Sequence, residues 1–312
     1  MAEHFVQPPH WEWYIIGYFF IAGLAGGSYA LGTMLRLSGS PADEAAARVA
    51  FRVAFPLLIL CPILLTLDLG QPLRFWHMLI NTTPGQTGVI FKYWSPMSVG
   101  SWVLLLFGVF AFVSFIEARA LDRRMRGALS DAVVRALSGG SGLVFNIVGS
   151  LLGLFVASYT GVLLSVSNQP IWSDTWTLGG LFLASGLSGS AALLALSARS
   201  RPDAAHTEAR VRRADGYFAL LELVLIVLFL ITLSTAGTLP RILAGPWLVL
   251  WLVVAVSLIP PLLGLTGRGQ EMGPRAGHGA GARAPASGLT AAVVVLVGIL
   301  ALRAVVILSA QV

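Results

Sequence analysis

Charge is scarce in this chain. Asp, Glu, Lys and Arg make up 11% of its 312 residues, while 56% are hydrophobic. Soluble domains carry about 25% charged residues. A soluble protein of this size would leave wide apolar patches in water, so the chain needs lipid as part of its solvent. A mean hydropathy of +0.82 agrees. A soluble enzyme and a disordered chain are both excluded. Cysteine is nearly absent, with Cys61 standing alone. That excludes an internal disulfide and an iron–sulfur cluster held by this chain alone, since a cluster takes about four ligands. Histidine is the third shortage: His4, His10, His77, His206 and His278 all fall outside the middles of the apolar runs. A membrane cytochrome b needs intramembrane histidines, so no haem is expected. The N-terminus, MAEHFVQPPHWEW, lacks a basic start and a small-residue cleavage site, so the first apolar run is expected to remain as a span.

Eight apolar runs supply what is there, near 14–35, 50–68, 97–117, 143–165, 177–198, 217–236, 247–266 and 289–309. Each approaches the ~20 residues that cross ~30 Å of hydrocarbon. The sequence therefore predicts an all-α integral membrane protein with eight transmembrane helices. Basic residues alternate between the loops. One set holds Arg36, Arg48 and Arg52, then Arg119, Arg123, Arg124, Arg126 and Arg135. It continues with Arg199, Arg201, Arg210, Arg212 and Arg213, then Arg268, Arg275 and Arg283. Of the 20 Lys and Arg, only Arg74, Lys92 and Arg241 fall in the opposite loops, and Arg303 lies inside the last run. The positive-inside rule puts the first set in the cytoplasm and both termini outside, in the inner (cytoplasmic) membrane. This pattern also accounts for a net charge of +6 and a pI near 10.1 through topology, with no need for nucleic acid.

The loops differ in kind. Residues 268–288 are rich in Gly, Ala and Pro and read as a flexible linker. The outer stretches 68–96 and 166–176 are rich in Trp, Pro and polar residues and read as structured. Trp11, Trp13, Trp76, Trp94, Trp172 and Trp176 fall at the outer boundary, as an aromatic belt would. A short internal repeat is also visible. Gly23-Leu24-Ala25-Gly26 leads to Arg36 and Gly186-Leu187-Ser188-Gly189 leads to Arg199, each over 13 residues. Thr66-Leu67 and Thr232-Leu233 recur in spans 2 and 6. Two four-helix halves of one orientation would produce this pattern. The expected division is 1–138 for spans 1–3, 139–170 for span 4 completing the first bundle, and 171–312 for a second four-helix bundle. Gly23 with Gly27, and Gly149 with Gly153, have the small-xxx-small spacing of close helix packing. Pro56 and Pro62 are expected to kink span 2.

Seven polar residues stand out against this background. Asp68 ends span 2, where Gly70 and Pro72 break the helix. It either pairs with Arg74 and shapes the turn, or accepts protons beside a redox ligand near the outer face. His77 lies nearby in sequence and is a second proton acceptor candidate. Tyr159 lies late in span 4, near the outer surface, where a phenol can serve a carbonyl oxygen without a charge in lipid. Tyr14 and Tyr18 sit four residues apart on one face of span 1. Asp68, His77, Tyr159, Tyr14 and Tyr18 are thus candidates for one outer site. Glu222 and Arg303 lie within spans 6 and 8, and ionisable groups there are functional candidates. They suit a proton pathway, or else a structural hydrogen bond for Glu222 and snorkelling or an internal ion pair for Arg303.

These motifs taken in order resemble the NrfD/PsrC-like membrane subunits of the polysulfide reductase type. The resemblance rests on GLAGG at Gly23–Gly27, then Asp68-Leu69-Gly70-x-Pro72-x-Arg74-Phe75-Trp76. It continues with Ser95-Pro96-Met97-Ser98-x-Gly100-Ser101-Trp102 and Ser158-Tyr159-Thr160-Gly161-Val162-Leu163-Leu164. Pro170-x-Trp172 and Leu302-Arg303 complete it. The resemblance implies a haem-free protein of two four-helix bundles that exchanges electrons with the quinone pool, menaquinone or ubiquinone, near the outer face. It implies a ferredoxin-like iron–sulfur partner subunit and, beyond that, a molybdopterin oxidoreductase subunit. Tyr159 matches a family tyrosine associated with quinone binding. Aligned on GLAGG, Tyr18 falls where the polysulfide reductase subunit has a quinone-site histidine, and Ile15 where it has an asparagine; the chain departs from the pattern at both.

The expectation is a quinone-binding membrane subunit of a respiratory complex, with outer loops 68–96 and 166–176 as the partner's docking surface. A secondary transporter is the alternative that Glu222, Arg303 and the repeat also fit. A passive anchor for an extracytoplasmic enzyme is a third.

Overall fold

The computed structural model describes residues 9–122, 125–198, 207–265 and 286–311. The helices are α1 (Trp13–Leu37), α2 (Pro41–Asp68), α3 (Pro96–Leu121), α4 (Ala128–Ala136) and α5 (Gly140–Ser165). They continue with α6 (Leu178–Ala198), α7 (Glu208–Ala236), α8 (Leu239–Leu243), α9 (Trp247–Leu265) and α10 (Ala286–Ser309). All but α4 and α8 are long and apolar enough to cross a membrane, which makes eight candidate spans among the described residues. Between α2 and α3 lie a short 3-10 helix, Pro72–Met78, and a two-stranded antiparallel hairpin, Ile80–Asn81 with Gly88–Val89. The linker reading of 268–288 falls almost wholly outside the described residues, as do Arg123, Arg124, Arg199 and Arg201 of the basic set.

The helices run past the apolar stretches read from sequence, most of all at one face. α2 starts at Pro41 where hydropathy suggests residue 50, and α7 at Glu208 where it suggests 217. The extra turns are charged and pair with one another. Arg36 bonds Glu117 at 2.7 Å and Glu44 at 3.0 Å, while Arg48 and Arg52 hold Asp122 at 2.9 and 2.8 Å. Pro41 occupies the first turn of α2, where a missing N–H costs nothing, and Asp43 and Glu44 face the positive end of the helix dipole. Arg36, Arg48, Arg52, Arg119, Arg210, Arg212 and Arg213 therefore sit on helices rather than in loops.

Packing follows two closed circuits. α1 touches α2, α2 touches α3, α3 touches α5 and α5 returns to α1. Likewise α6 touches α7, α7 touches α9, α9 touches α10 and α10 returns to α6. The circuits meet chiefly where α6 lies against α1 and α5. α1 and α6 are accordingly the most buried spans, at 83% and 78% of their apolar windows. The two copies of the short repeat face each other here. A side chain on Gly186 would begin 3.1 Å from the Gly23 backbone, so two glycines let the helices touch backbone to backbone. The Ser190 hydroxyl donates to the Leu24 carbonyl at 3.0 Å across the same seam. Gly26 packs as closely on Gly153 of α5.

Both ends of the seam are fastened. At the arginine-rich face, the Asp43 carboxylate accepts from Ser38, Thr207 and Arg210, which joins α2 to α7. At the opposite face, the Gln311 amide accepts from the Trp11 N–H at 2.7 Å and donates to the Trp11 carbonyl at 3.1 Å. Trp11 stacks on Trp172, whose indole N–H donates to the Val306 carbonyl at 2.7 Å. Trp172 is 1% exposed. This corrects the aromatic-belt reading for Trp172: a ring with a buried hydrogen-bond partner stabilises the core instead. Trp13, Trp76, Trp94 and Trp176 do stay exposed. Neighbouring Ile171 adopts φ 74°, a left-handed conformation that is rare for a β-branched residue, and its N–H is held by Asp174 at 2.8 Å.

Candidate functional site

At the arginine-poor face, α1, α2, α3 and α5 bring two phenols and a thiol together. Tyr18 from α1 has Cys61 of α2 and Tyr159 of α5 as its electrostatic neighbours. All three are buried, at 5%, 0% and 8% exposure. The two phenols are in different states. The Tyr159 hydroxyl donates to the Pro96 carbonyl at 2.7 Å. Pro96 opens α3, after a Ser95 side chain that accepts the Ser98 N–H. The Tyr159 ring stacks on Phe155 and lies flush on Gly100, where any side chain would overlap it. Tyr18 forms no hydrogen bond among the described residues, so its hydroxyl is free to serve a ligand as donor or acceptor. The site thus holds one committed phenol, which can only accept, and one uncommitted phenol.

The other candidates of this face stand apart from that pair. Tyr14 lies one turn outward from Tyr18 but is 43% exposed, because α1 emerges from the packed bundle there. Asp68 is half-buried at the end of α2. It makes no ion pair with Arg74 among the described residues, which corrects that expectation; its electrostatic neighbour is Glu12. His77 is exposed on the 3-10 helix, edge-on to Trp76 at 4.1 Å. Sequence reading missed Cys61, Pro96, Gly100 and Glu12. Pro96 and Gly100 stood in the Ser95–Trp102 motif of the resemblance, and their i, i+4 spacing was the signal that both serve one side chain.

A second polar cluster lies in the other circuit. Arg303 is fully buried. Its guanidinium donates to the Ser185 hydroxyl at 2.7 Å, the Phe182 carbonyl at 3.1 Å and the Ile299 carbonyl at 3.3 Å, and covers the Phe182 ring at 4.8 Å. Its Nε has no partner among the described residues. Arg303 neither snorkels nor forms a direct ion pair among the described residues, which corrects both expectations. Carbonyls and a hydroxyl hold its Nη1 and Nη2 groups, and small residues at the α1–α6 contact make room for it; a side chain on Gly23 would begin 3.1 Å from its Nη2. Glu222 is 3% exposed and within electrostatic range of Arg303 and Asp215. Asp215 accepts from the Ser188 hydroxyl at 2.6 Å.

A third cluster escaped the sequence reading. Tyr29 shares a hydrogen bond with Ser114 at 2.8 Å, and Asn146 accepts from Ser114 at 3.3 Å and from Tyr29 at 3.4 Å. Glu117 and Asn146, polar and inside apolar runs, were its available signal. Among the described residues, no three His, Cys, Asp or Glu side chains gather as ligands for a metal.

The family profile described as "Polysulphide reductase, NrfD" matches residues 3–273. The chain belongs to the NrfD family. Among its relatives is Protein NrfD of Escherichia coli (strain K12), 27% identical over 81% of this chain and 83% of that protein. A polysulfide reductase component of Wolinella succinogenes is 32% identical over 57% of this chain and 55% of its own length. A selenate reductase subunit of Mesobacillus selenatarsenatis is 28% identical over 36% of this chain and 24% of its own length. Family and fold agree: this NrfD-family chain is a multi-pass inner-membrane protein and a membrane subunit of an oxidoreductase. Tyr18, Asp68, Tyr159 and Glu222 fall within the matched segment, and Arg303 lies beyond it.

Proposed function

We propose that this NrfD-family chain exchanges electrons between the quinone pool and an iron–sulfur partner subunit outside the membrane, binding quinol at the Tyr18–Tyr159 pair. The observation that carries this reading is the polarity of that pair. Tyr159 spends its only proton on Pro96. It therefore presents lone pairs to a ligand, which suits the hydroxyl of a quinol. Tyr18, with no partner of its own among the described residues, holds the second oxygen. Quinol supplies two electrons and two protons on oxidation. Asp68 beside Glu12, and His77, lie toward the mouth of this end and are the proposed acceptors for protons leaving outward. Membership in a family of quinone-interacting subunits supports the reading; menaquinone and ubiquinone both fit it.

The architecture we propose is two four-helix bundles, with spans 1–3 in 1–138, span 4 in 139–170 and spans 5–8 in 171–312. The two closed packing circuits support it. The alternation of arginine supports termini that face outward, which sets the tyrosine pair at the outer face. Outer loops 68–96 and 166–176 then form the docking surface for a ferredoxin-like iron–sulfur subunit, with a molybdopterin oxidoreductase subunit beyond. Glu222 and Arg303 are proposed as a proton pathway in the second bundle.

Purification in mild detergent from native membranes tests the reading. Stoichiometric iron–sulfur and large oxidoreductase subunits with extractable quinone are expected. A chain that purifies alone and without quinone would overturn it in favour of a transporter. The fastened α1–α6 seam argues against that alternative, since rocking the two circuits would part Gly23 from Gly186.

A further inference from the structure

The arginines of the arginine-rich face differ in their partners, and Arg119 and Arg213, like Arg126 and Arg135, meet no carboxylate among the described residues, Arg119 covering the Phe115 ring instead. Arg36, Arg48, Arg52, Arg210 and Arg212 each meet a carboxylate within 4.0 Å. Arg126 and Arg135 meet none among the described residues, yet both line one open cleft of about 670 Å³ where α3 ends against α4. Arg135 spends its Nε on the Asp131 backbone carbonyl at 3.3 Å. The same cleft is walled by Leu121 and Met125, and among the described residues its one carboxylate is Asp131. Two guanidinium groups against one carboxylate leave the cleft cationic.

Its position gives the cleft a second property. Leu121 is the last residue of α3, a span whose Leu105, Val109 and Phe112 are exposed to the surroundings of the bundle. Leu121, Met125 and Leu129 are exposed apolar side chains beside the cleft, with Leu121 on a different side of α3 from those three. A cationic hollow flanked by exposed apolar side chains at the end of a membrane span matches a molecule with an anionic head and apolar tails. We infer that this cleft binds the phosphodiester headgroup of an anionic membrane phospholipid, held by Arg126 and Arg135, with its acyl chains against Leu121, Met125 and Leu129. Guanidinium forks suit phosphate oxygens.

The test uses the full chain in mild detergent, stripped of lipid and titrated with phosphatidylglycerol or phosphatidylcholine, and read by native mass spectrometry. Phosphatidylglycerol should be retained at least ~10-fold more strongly than phosphatidylcholine. Arg126→Gln with Arg135→Gln should abolish that preference, and Asp131→Asn should strengthen it. Equal retention of both lipids would overturn the inference, as would an unchanged preference in the Arg double variant or a weakened one in Asp131→Asn. Displacement of phosphatidylglycerol by inorganic phosphate would assign the cleft to the free ion and overturn the lipid assignment.

Discussion

Tyr159→Phe is the sharpest perturbation of the proposed site, because it removes one atom and leaves the ring. The ring keeps its stack on Phe155 and its seat on Gly100, so the fold and the complex should survive. The lost group donates to Pro96 at 2.7 Å. Pro96 lies in the first turn of α3, so its carbonyl still has the intrahelical N–H of Gly100. One neutral hydrogen bond is worth roughly 0.5–1.5 kcal/mol net, which bounds the stability cost. The same range applies to the hydrogen bond a quinol hydroxyl would lose, so KM for quinol should rise roughly 2- to 13-fold. A fall in kcat as well would mean that the contact strengthens as the proton departs. The assay is quinol-linked turnover of the intact complex, beside direct binding of quinol and quinone. Quinol binding should weaken and quinone binding should hardly change, because the wild-type phenol has no proton to give. Wild-type turnover would remove Tyr159 from the site. An equal loss of both ligands would refute the polarity argument while sparing the site.

Gly100→Ala forces a methyl group into the Tyr159 ring and should reproduce the KM rise, with an added overpacking cost of about 1–3 kcal/mol seen in thermal unfolding; unchanged turnover and stability would contradict this. Trp172→Phe removes the bond to Val306 and should destabilise the protein by about 1–3 kcal/mol, while quinol KM stays near wild type; thermal melts and turnover together check it. Glu222→Gln, reconstituted in liposomes, should lose proton translocation and keep quinol turnover when the vesicles are uncoupled; full translocation would take Glu222 out of the pathway.

The eight spans were legible because hydropathy reports transfer into lipid, and each helix here makes that transfer over most of its length. Its ends were not legible. Pro41 to Val49 and Glu208 to Gly216 are too polar for hydrocarbon, and they stay helical because Asp43, Glu44 and Arg210 have partners on other helices. No reading of single runs contains those partners. Trp172 misled for the same reason. A tryptophan beside a span boundary looks like a belt residue until Val306, far along the chain, is seen to take its N–H. At the site, residue type was enough to pick Tyr18 and Tyr159. It could not say that Tyr159 would donate to a backbone carbonyl and Tyr18 to nothing among the described residues. Tyr14 and Tyr18 share a face of α1, yet burial separates them, because depth in the bundle depends on where the neighbouring helices stop.

The repeat links packing to function. GLAG of α1 and GLSG of α6 pack on each other, so the two packing circuits meet in part through a segment that recurs in both. Small residues there let backbones touch, and that contact leaves no room for sliding. Ser190 bonded to Leu24, Asp43 bonded to Arg210 and Gln311 bonded to Trp11 fasten the seam at its centre and both ends. Parting the two circuits would break all three and open the Gly23–Gly186 contact. A carrier that works by rocking needs such a boundary to open at little cost, and this one does not. A protein that holds a redox ligand at fixed distance from a docked partner needs the opposite. Tyr18 is next in sequence to Phe19, Phe19 meets Phe182 edge-on at 6.1 Å, and Arg303 covers Phe182 at 4.8 Å. Tyr18 and the buried Arg303 are therefore joined through Phe19 and Phe182 across the α1–α6 contact.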